Sequence, residues 1–557
     1  MAKSRFFFQA SLVGILGVAV LGSTLVVSRP DYSFFDPLLD IKAIISQQYV
    51  TAPDEKAMQL AAINGMVESL NDPYTVYVPP TESKTFTKEL TGDYVGIGAQ
   101  VQVRDGWLTI VTPLEDSPAF KAGILPDDRV VEINGKSTFG LTSDDSVGML
   151  TGEPGTKANL VIERKGQKMP MTITRERIVT KTVKGFHWEK GSGESGSWQY
   201  MIDPARKVAF IRLTQFTPTS AAEVTETLKS LGADKGDIKG LIFDLRGNPG
   251  GVLQDAEEIA DLFLSEGVIV STKGRAVRES IVRATKEGTL PDFPMVMLIN
   301  GSSASASEVL SGALVDNKRA ITVGTRTFGK GLVQTVHSLP SGRGQLKVTE
   351  QRHYLPSGRS LHRSDDSKEW GVDPTPGFYV PVTDAELIEM FKVRRAEEAI
   401  SNSQHNDADA KWSDAGWISE HLKDKQLSAA LQAIQTKLDT GEWKPTGQPL
   451  PEIGAAASQD LAKARILRDR LEHELIRIDR KIDGLEAAAA DKDVPLDLWP
   501  ETVDVANGHV DVFDKDGKLV GKFKVPSNDL ERWLIDAGVK KEEGDKAADK
   551  KPAEAPK

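Results

Sequence analysis

The sequence predicts an α/β multidomain chain built on a mostly parallel sheet. Three observations carry that expectation. Between residues 181 and 380, apolar strands alternate with amphipathic helices, the pattern of a parallel sheet covered by helices. Between 91 and 180, short strands and turn signals follow one another with little helix, which marks a separate small β-barrel. The 557 residues, 39% hydrophobic and 27% charged, suffice for three or more domains with ordinary cores.

Composition then removes several function classes. The formal net charge of −11 argues against nucleic acid as a partner. The absence of cysteine excludes disulfides, thiol catalysis and cysteine–metal sites, and it suits an oxidising compartment. The 8 histidines never fall at metal-ligand spacing, so neither a catalytic metal nor another cofactor is expected.

In chain order, Lys3 and Arg5 precede an apolar run from Phe6 to Val27, closed by Ser28-Arg29-Pro30. A basic start and about 20 apolar residues predict a signal anchor over residues 1–30, inserted with its positive end inside. A cleaved signal peptide is the alternative. Either one exports the rest to the cell envelope, as a protein held on the inner membrane facing the periplasm or as a soluble periplasmic or secreted one. Residues 31–90 repeat Leu38, Ile41, Ile44 and Ile45, then Met58, Ala61, Ala62, Met66, Val67 and Leu70 at helical spacing, a packed helical hairpin. Asp54-Glu55 opens its second helix and Asn71-Asp72-Pro73 ends it.

The barrel of residues 91–180 begins with Tyr94-Val95-Gly96-Ile97-Gly98-Ala99. Strands at Leu108–Val111, Val130–Ile133, Ala158–Ile162 and Met171–Ile173 follow, with a short helix over Ser117–Ile124 and an Asn134-Gly135 turn. The core of residues 181–380 has strands at Val208–Leu213 and Leu241–Arg246, each leading into a helix. Between the second pair lies the turn Gly247-Asn248-Pro249-Gly250-Gly251. Residues 381–539 form a mainly helical extension, with helices at Asp384–Ile400 and Trp417–Leu438. Leu467, Leu471, Leu475, Ile478, Ile482 and Leu485 fit an amphipathic or coiled-coil helix, and a β-hairpin turns at Asp516-Gly517. The Lys-, Glu-, Ala- and Pro-rich residues 540–557 are expected to be disordered. The N- and C-terminal helices are the candidate surfaces for self-association or an adaptor.

One stretch carries the chemistry. The apolar run Met295–Ile299 reads as a buried strand, broken by Asn300-Gly301, followed by Ser302-Ser303-Ala304-Ser305-Ala306-Ser307-Glu308 and a helical pattern. A serine on such a strand-to-helix turn has backbone N–H groups and the positive end of the dipole beside it. That suits a nucleophile with an oxyanion donor at hand. A serine needs a base, and Phe328-Gly329-Lys330-Gly331 offers a lysine among glycines and apolar neighbours, where desolvation favours the neutral amine. Spacing alone leaves the nucleophile open among Ser302, Ser303, Ser305, Ser307 and Ser311.

These two runs resemble the carboxyl-terminal processing peptidases, or tail-specific proteases. The family's nucleophile is the middle serine of Ser-Ala-Ser-Ala-Ser-Glu, and its base is the lysine of Phe-Gly-Lys-Gly 25 residues later. The match selects Ser305 and Lys330, with Gln334 orienting the lysine amine. Asp244-Leu245-Arg246-Gly247-Asn248-Pro249-Gly250-Gly251 also matches. It implies an oxyanion hole formed by the N–H of Ala306 with that of Gly250 or Gly251. The order of elements in 91–180 resembles a PDZ domain, with Ala122-Gly123-Ile124 and Ile133-Asn134-Gly135 in place. There Val95, Gly96, Ile97 and Gly98 would grip a chain-terminal carboxylate while the peptide adds to an open strand edge.

The resemblance, over roughly residues 35–380, implies an exported Ser/Lys serine endopeptidase that cuts protein substrates near free, apolar C-termini. The alternatives are a catalytically silent tail-binding scaffold and an apolar-ligand carrier. Intact Ser305, Lys330 and Gln334 weigh against both.

Overall fold

The computed structural model describes residues 33–83, 86, 93–190, 196–364, 367, 369–398, 411–450, 468, 508–513 and 518–525. The apolar run Phe6–Val27, the amphipathic positions from Leu467 to Leu485 and the tail from 540 lie outside the described residues. Among the described residues, no helix is long and apolar enough to cross a membrane. By contacts the chain divides into Met1–Ala462 and Lys463–Lys557.

At the centre of the first unit are four parallel strands, Val208–Leu213, Gly240–Asp244, Met295–Ile299 and Ile321–Gly324, neighbours in that order. Val183–Lys184 and Met201–Asp203 add to Val208–Leu213 in the antiparallel sense. The strands are mainly apolar because both faces are covered. Leu241, Phe243, Met295, Met297 and Ile299 face one side, packing with Val224, Leu228, Ile259 and Val309 from the helices Ser220–Ser230, Leu253–Asp261 and Ala306–Asp316. Ile242, Val296, Leu298 and Val323 face the other. There they meet Ile418, Leu427, Leu431 and Ile434 of the helices Ala415–His421 and Lys425–Thr440.

The single helix expected over Trp417–Leu438 is therefore two helices. The break has a local cause. Lys423 takes φ 57°, and the Asp424 side chain accepts from Leu427 N–H at 2.9 Å, starting a new helix. Asp424 is held there by Arg246, as described below.

A second, antiparallel sheet has the order Val76–Val78, Gln345–Tyr354, Val268–Gly274, Ser280–Arg283, with Leu332–Ser338 also paired to Gln345–Tyr354. Gln345–Tyr354 runs as one unbroken strand of 10 residues. The β-rich region forms a six-stranded sheet whose main path runs Ala99–Arg104, Trp107–Pro113, Arg129–Ile133, Lys157–Arg164, Gln167–Thr174. It closes on a core of Ile97, Leu108, Ile110, Val130, Leu160 and Ile162.

At the N-terminal end, the hairpin appears as Asp36–Gln48 and Glu55–Glu68. The Asp54 carboxylate caps the second helix by accepting from Lys56 and Ala57 N–H at 2.8 and 3.1 Å. It was expected to be packed, yet neither helix contains a buried residue. In the second unit, His509–Phe513 and Leu519–Lys524 pair as the expected antiparallel hairpin.

Candidate active site

The fully buried strand Met295–Ile299 delivers the chain to the serine-rich turn. Its five candidate serines are placed differently. Ser303 and Ser307 are buried and donate their hydroxyls to the carbonyls of Leu245 (2.8 Å) and Asn248 (3.0 Å). Ser311 is buried within the helix and donates to Ser307 O at 2.7 Å. Ser302 is exposed at the start of the turn. Ser305 alone stands at the N-terminal junction of the helix Ala306–Asp316, half-buried, with φ 55° and ψ −114°. A left-handed φ in a residue with a Cβ is strained, and strain of this kind persists only where surrounding bonds impose it.

Glu308 supplies much of that restraint. It is fully buried, and its carboxylate accepts four hydrogen bonds. Oε1 takes Thr327 Oγ1–H and Gly329 N–H, each at 2.6 Å, and Oε2 takes Ser305 N–H and Lys330 N–H, each at 2.8 Å. The Thr327 oxygen also accepts Val372 N–H at 2.7 Å, while its own hydrogen goes to Glu308. Burial pushes the Glu308 carboxyl above its ordinary range, opposed by these donors. The four donors favour the ionised carboxylate over the protonated form. One oxygen thus joins the Ser305 turn to the Lys330 loop.

Lys330 is half-buried just before the strand Leu332–Ser338. Burial lowers its ammonium pKa to about 8, and Lys347 adds to the fall, while Glu308 and Asp72 oppose it. Its Nζ lies 4.6 Å from the centre of the Tyr74 ring. Gln334 follows on the same strand, and its Nε2 donates to Thr349 Oγ1 at 3.2 Å. His353 donates its backbone N–H to Gly331 O at 2.9 Å. Its ring is buried, which together with the Lys330 charge pulls its pKa down to about 4 and keeps it neutral.

The turn after strand Gly240–Asp244 packs directly on Ser305. A Cβ built on Gly250 would lie 2.6 Å from Ala304 O, 2.8 Å from Ser305 Cβ and 2.9 Å from Ala306 N, so only glycine fits. The Gly250 N–H donates to Asn248 Oδ1 at 2.9 Å. Gly251, at φ 141°, lies against Phe216, whose N–H donates to Gly250 O and whose carbonyl accepts from Val252 N–H. Ala306 is buried at the start of its helix.

Behind this turn lies a buried ion network. Arg246 pairs with Asp244 (Nε–Oδ1 2.9 Å, Nη2–Oδ2 2.7 Å) and with Asp424 (Nη1–Oδ1 2.7 Å, Nη2–Oδ2 2.9 Å). Arg394 reaches Asp424 as well, at 3.1 Å. Burial alone would raise both aspartates, but the guanidinium groups hold them below the usual carboxylate range. Asp424 thus ties the second-face helices to the turn that carries Gly250 and Gly251.

The four tail-binding candidates lie in the small β domain. Val95 and Gly96 end the strand Asp93–Gly96, paired with Glu176–Val179. Ile97 is core, and its carbonyl accepts from Ala119 N–H at 2.8 Å. Gly98 has φ +75°, and a Cβ there would lie 2.3 Å from Ser117 Cβ. The next strand, Ala99–Arg104, is the terminal strand of its sheet.

Glu308 and Asp424 are among the features that sequence reasoning leaves unassigned. Glu308 was inside the matched run and carried a signal, since Ser followed by Glu three positions later is a capping-box pattern. Asp424 carried none, because its partner is 178 positions away.

The sequence profile of peptidase family S41 matches residues 207–376, a PDZ domain profile matches 109–164, and that of the activating protease CtpB N-terminal domain matches 35–81. The chain is 31% identical over 458 residues to the carboxy-terminal-processing protease of Bartonella bacilliformis, an alignment covering 80% of this chain and 99% of that one. With the carboxy-terminal processing protease CtpA of Bacillus subtilis it shares 34% over 369 residues, 64% of this chain and 75% of the other. A solved photosystem II D1 C-terminal processing protease aligns with a TM-score of 0.36 at 25% identity, covering 61% of this chain and 86% of that one. The chain belongs to the carboxy-terminal processing proteases of peptidase family S41, serine-type peptidases, and carries a PDZ domain.

Proposed function

We propose that this protease is an exported endopeptidase with Ser305 as nucleophile and neutral Lys330 as base, docking the free C-terminus of its substrate on its PDZ domain. The observation that carries the reading is the junction at Glu308, which accepts from both Ser305 and Lys330 N–H on one oxygen. Ser305 Oγ attacks the scissile carbonyl carbon as its proton passes to Lys330 Nζ. The tetrahedral oxyanion is held by backbone donors. The C–N bond then breaks, and Lys330 returns the proton to the leaving amine. Water repeats the cycle on the acyl-enzyme, with Lys330 again as base.

Ala306 N–H is one oxyanion donor. The Gly250–Gly251 turn supplies the other, and we assign it to Gly251, because Gly250 N–H is already given to Asn248. Gln334 acts through Thr349, which in turn donates its N–H to Thr75 Oγ1 at 3.1 Å.

Tail docking is supported by the terminal strand Ala99–Arg104, whose outer side is available for an added strand, and by the glycine-bounded turn Gly96-Ile97-Gly98 before it. Export and envelope attachment rest on the basic start and apolar run of residues 1–30. The hairpin of residues 36–68 leaves Leu39, Ile41, Ile44 and Met66 exposed, which supports pairing with a second copy.

Two unfolded substrates of one sequence test the docking. One ends in an apolar residue with a free carboxylate, and the other is amidated there. The account expects fast cleavage of the first, near its C-terminus, and at least tenfold slower cleavage of the second. Equal rates would remove the PDZ domain from substrate selection.

A further inference from the structure

The residues already assigned leave one contact of Lys330 without a role. Its Nζ lies 4.6 Å from the Tyr74 ring centre, and Tyr74 comes from the N-terminal segment, not from the protease core. That segment is built to hold the ring in place. The helix Glu55–Glu68 ends, and Asn71 at φ 50° turns the chain. The Asp72 carboxylate then accepts from Tyr74 N–H at 3.0 Å and Thr75 Oγ1 at 2.6 Å. Thr75 is buried, and its hydroxyl accepts from Thr349 N–H at 3.1 Å. Val76–Val78 then pairs with Gln345–Lys347. Tyr74 is therefore held by Asp72 on one side and, through Thr75 and Val76–Val78, by the strand that carries Thr349, the partner of Gln334, on the other.

We propose that Tyr74 and Asp72 are positioning residues for the Lys330 amine, so that the segment following the N-terminal hairpin completes the catalytic site. This rests on Lys330 being the base. The ring does two things. It excludes water from one side of the amine, which disfavours the charged form. It also presents a π-face that attracts the ammonium, which holds Nζ in place between turnovers. Asp72 is the counterweight: its charge favours the ammonium. The other charges on Lys330 come from Lys347 and Glu308, on the strand Gln345–Tyr354 and the Ser305 helix, and neutral His353 sits on that same strand. Burial, to which the ring contributes, and the Lys347 charge outweigh Glu308 and Asp72 and lower the amine to about 8.

The two residues should therefore move Lys330 in opposite directions, which general loosening of the segment would not do. The experiment is competitive labelling of lysine amines by trace isotopic acetic anhydride across pH, reading the peptide that contains Lys330 in the full chain. The variants are Tyr74→Ala, Tyr74→Phe and Asp72→Asn, the last two nearly isosteric. Tyr74→Ala should move the Lys330 midpoint up by about one pH unit or more, toward an exposed lysine. Tyr74→Phe should leave it in place, and Asp72→Asn should move it down.

The midpoint of kcat/KM against pH, measured on the same proteins, should follow the labelling midpoint. A parental midpoint in Tyr74→Ala, or shifts of one sign in Tyr74→Ala and Asp72→Asn, would overturn the proposal. Labelling shifts as predicted with an unmoved kcat/KM midpoint would uphold the positioning and instead remove Lys330 as the base.

Discussion

Glu308→Gln is the substitution that most directly probes how the site is assembled. The parent carboxylate accepts four hydrogen bonds, two at each oxygen. A glutamine keeps one carbonyl oxygen and turns an NH2 toward two of the four donors. Bonds to a charged group contribute about 1.5–3 kcal/mol each, so two lost bonds cost about 3–6 kcal/mol. Removing a buried charge offsets part of this. A net loss of about 2–4 kcal/mol, borne by the Ser305 turn and the Lys330 loop, corresponds to about 30- to 1,000-fold in kcat/KM.

The pH profile adds a sign. Glu308 favours the Lys330 ammonium, so its neutralisation lets Lys330 lose its proton more readily. The acid limb of kcat/KM should move to lower pH while the plateau falls. The assay is initial-rate cleavage of an unfolded protein between about pH 6 and about pH 10, the range bracketing a desolvated lysine. A variant within threefold of the parent, or a limb displaced upward, would refute the role assigned to Glu308.

Other consequences follow from the same geometry. Ser305→Gly should melt at higher temperature than Ser305→Ala, because glycine relieves φ 55°; differential scanning calorimetry reads the order. Asp424→Ala should destabilise the fold by about 3–5 kcal/mol in urea unfolding, because it leaves Asp244 alone to balance the Arg246 and Arg394 guanidinium groups. Lys330→Met should abolish cleavage yet raise the melting temperature at pH 7. Burial penalises the parent's ammonium, and the parent gains relative stability as its amine deprotonates above about pH 8, so the advantage should shrink at alkaline pH.

What could be read from the sequence was local. The strands Val208–Leu213 and Met295–Ile299 are apolar runs bounded by turn residues, and the serine-rich turn sits between a strand break and a helical repeat. Choosing Ser305 needed the resemblance, because spacing treats five serines alike. In the structure, the hydroxyls of Ser303 and Ser307 are given to the Leu245 and Asn248 carbonyls and that of Ser311 to its own helix, which separates them from Ser305.

The features that were not read are long-range. Asp424 on Arg246 and Tyr74 on Lys330 join positions far apart in the chain, and neither leaves a periodic trace. Asp424, whose local cap splits the Trp417–Leu438 helix, is also the ion partner of Arg246. The exposed N-terminal hairpin reads as packed in the sequence because an apolar repeat at helical spacing does not say what its apolar face meets.

The central claim is that Ser305 and Lys330 act as nucleophile and base. It is tested most directly by incubating the chain from Arg29 onward with an unfolded protein ending in an apolar free carboxylate, beside Ser305→Ala and Lys330→Ala, with the products weighed by mass spectrometry. The account predicts defined cuts near the substrate C-terminus for the parent and none for either variant. Cleavage at the parental rate by either variant would contradict it.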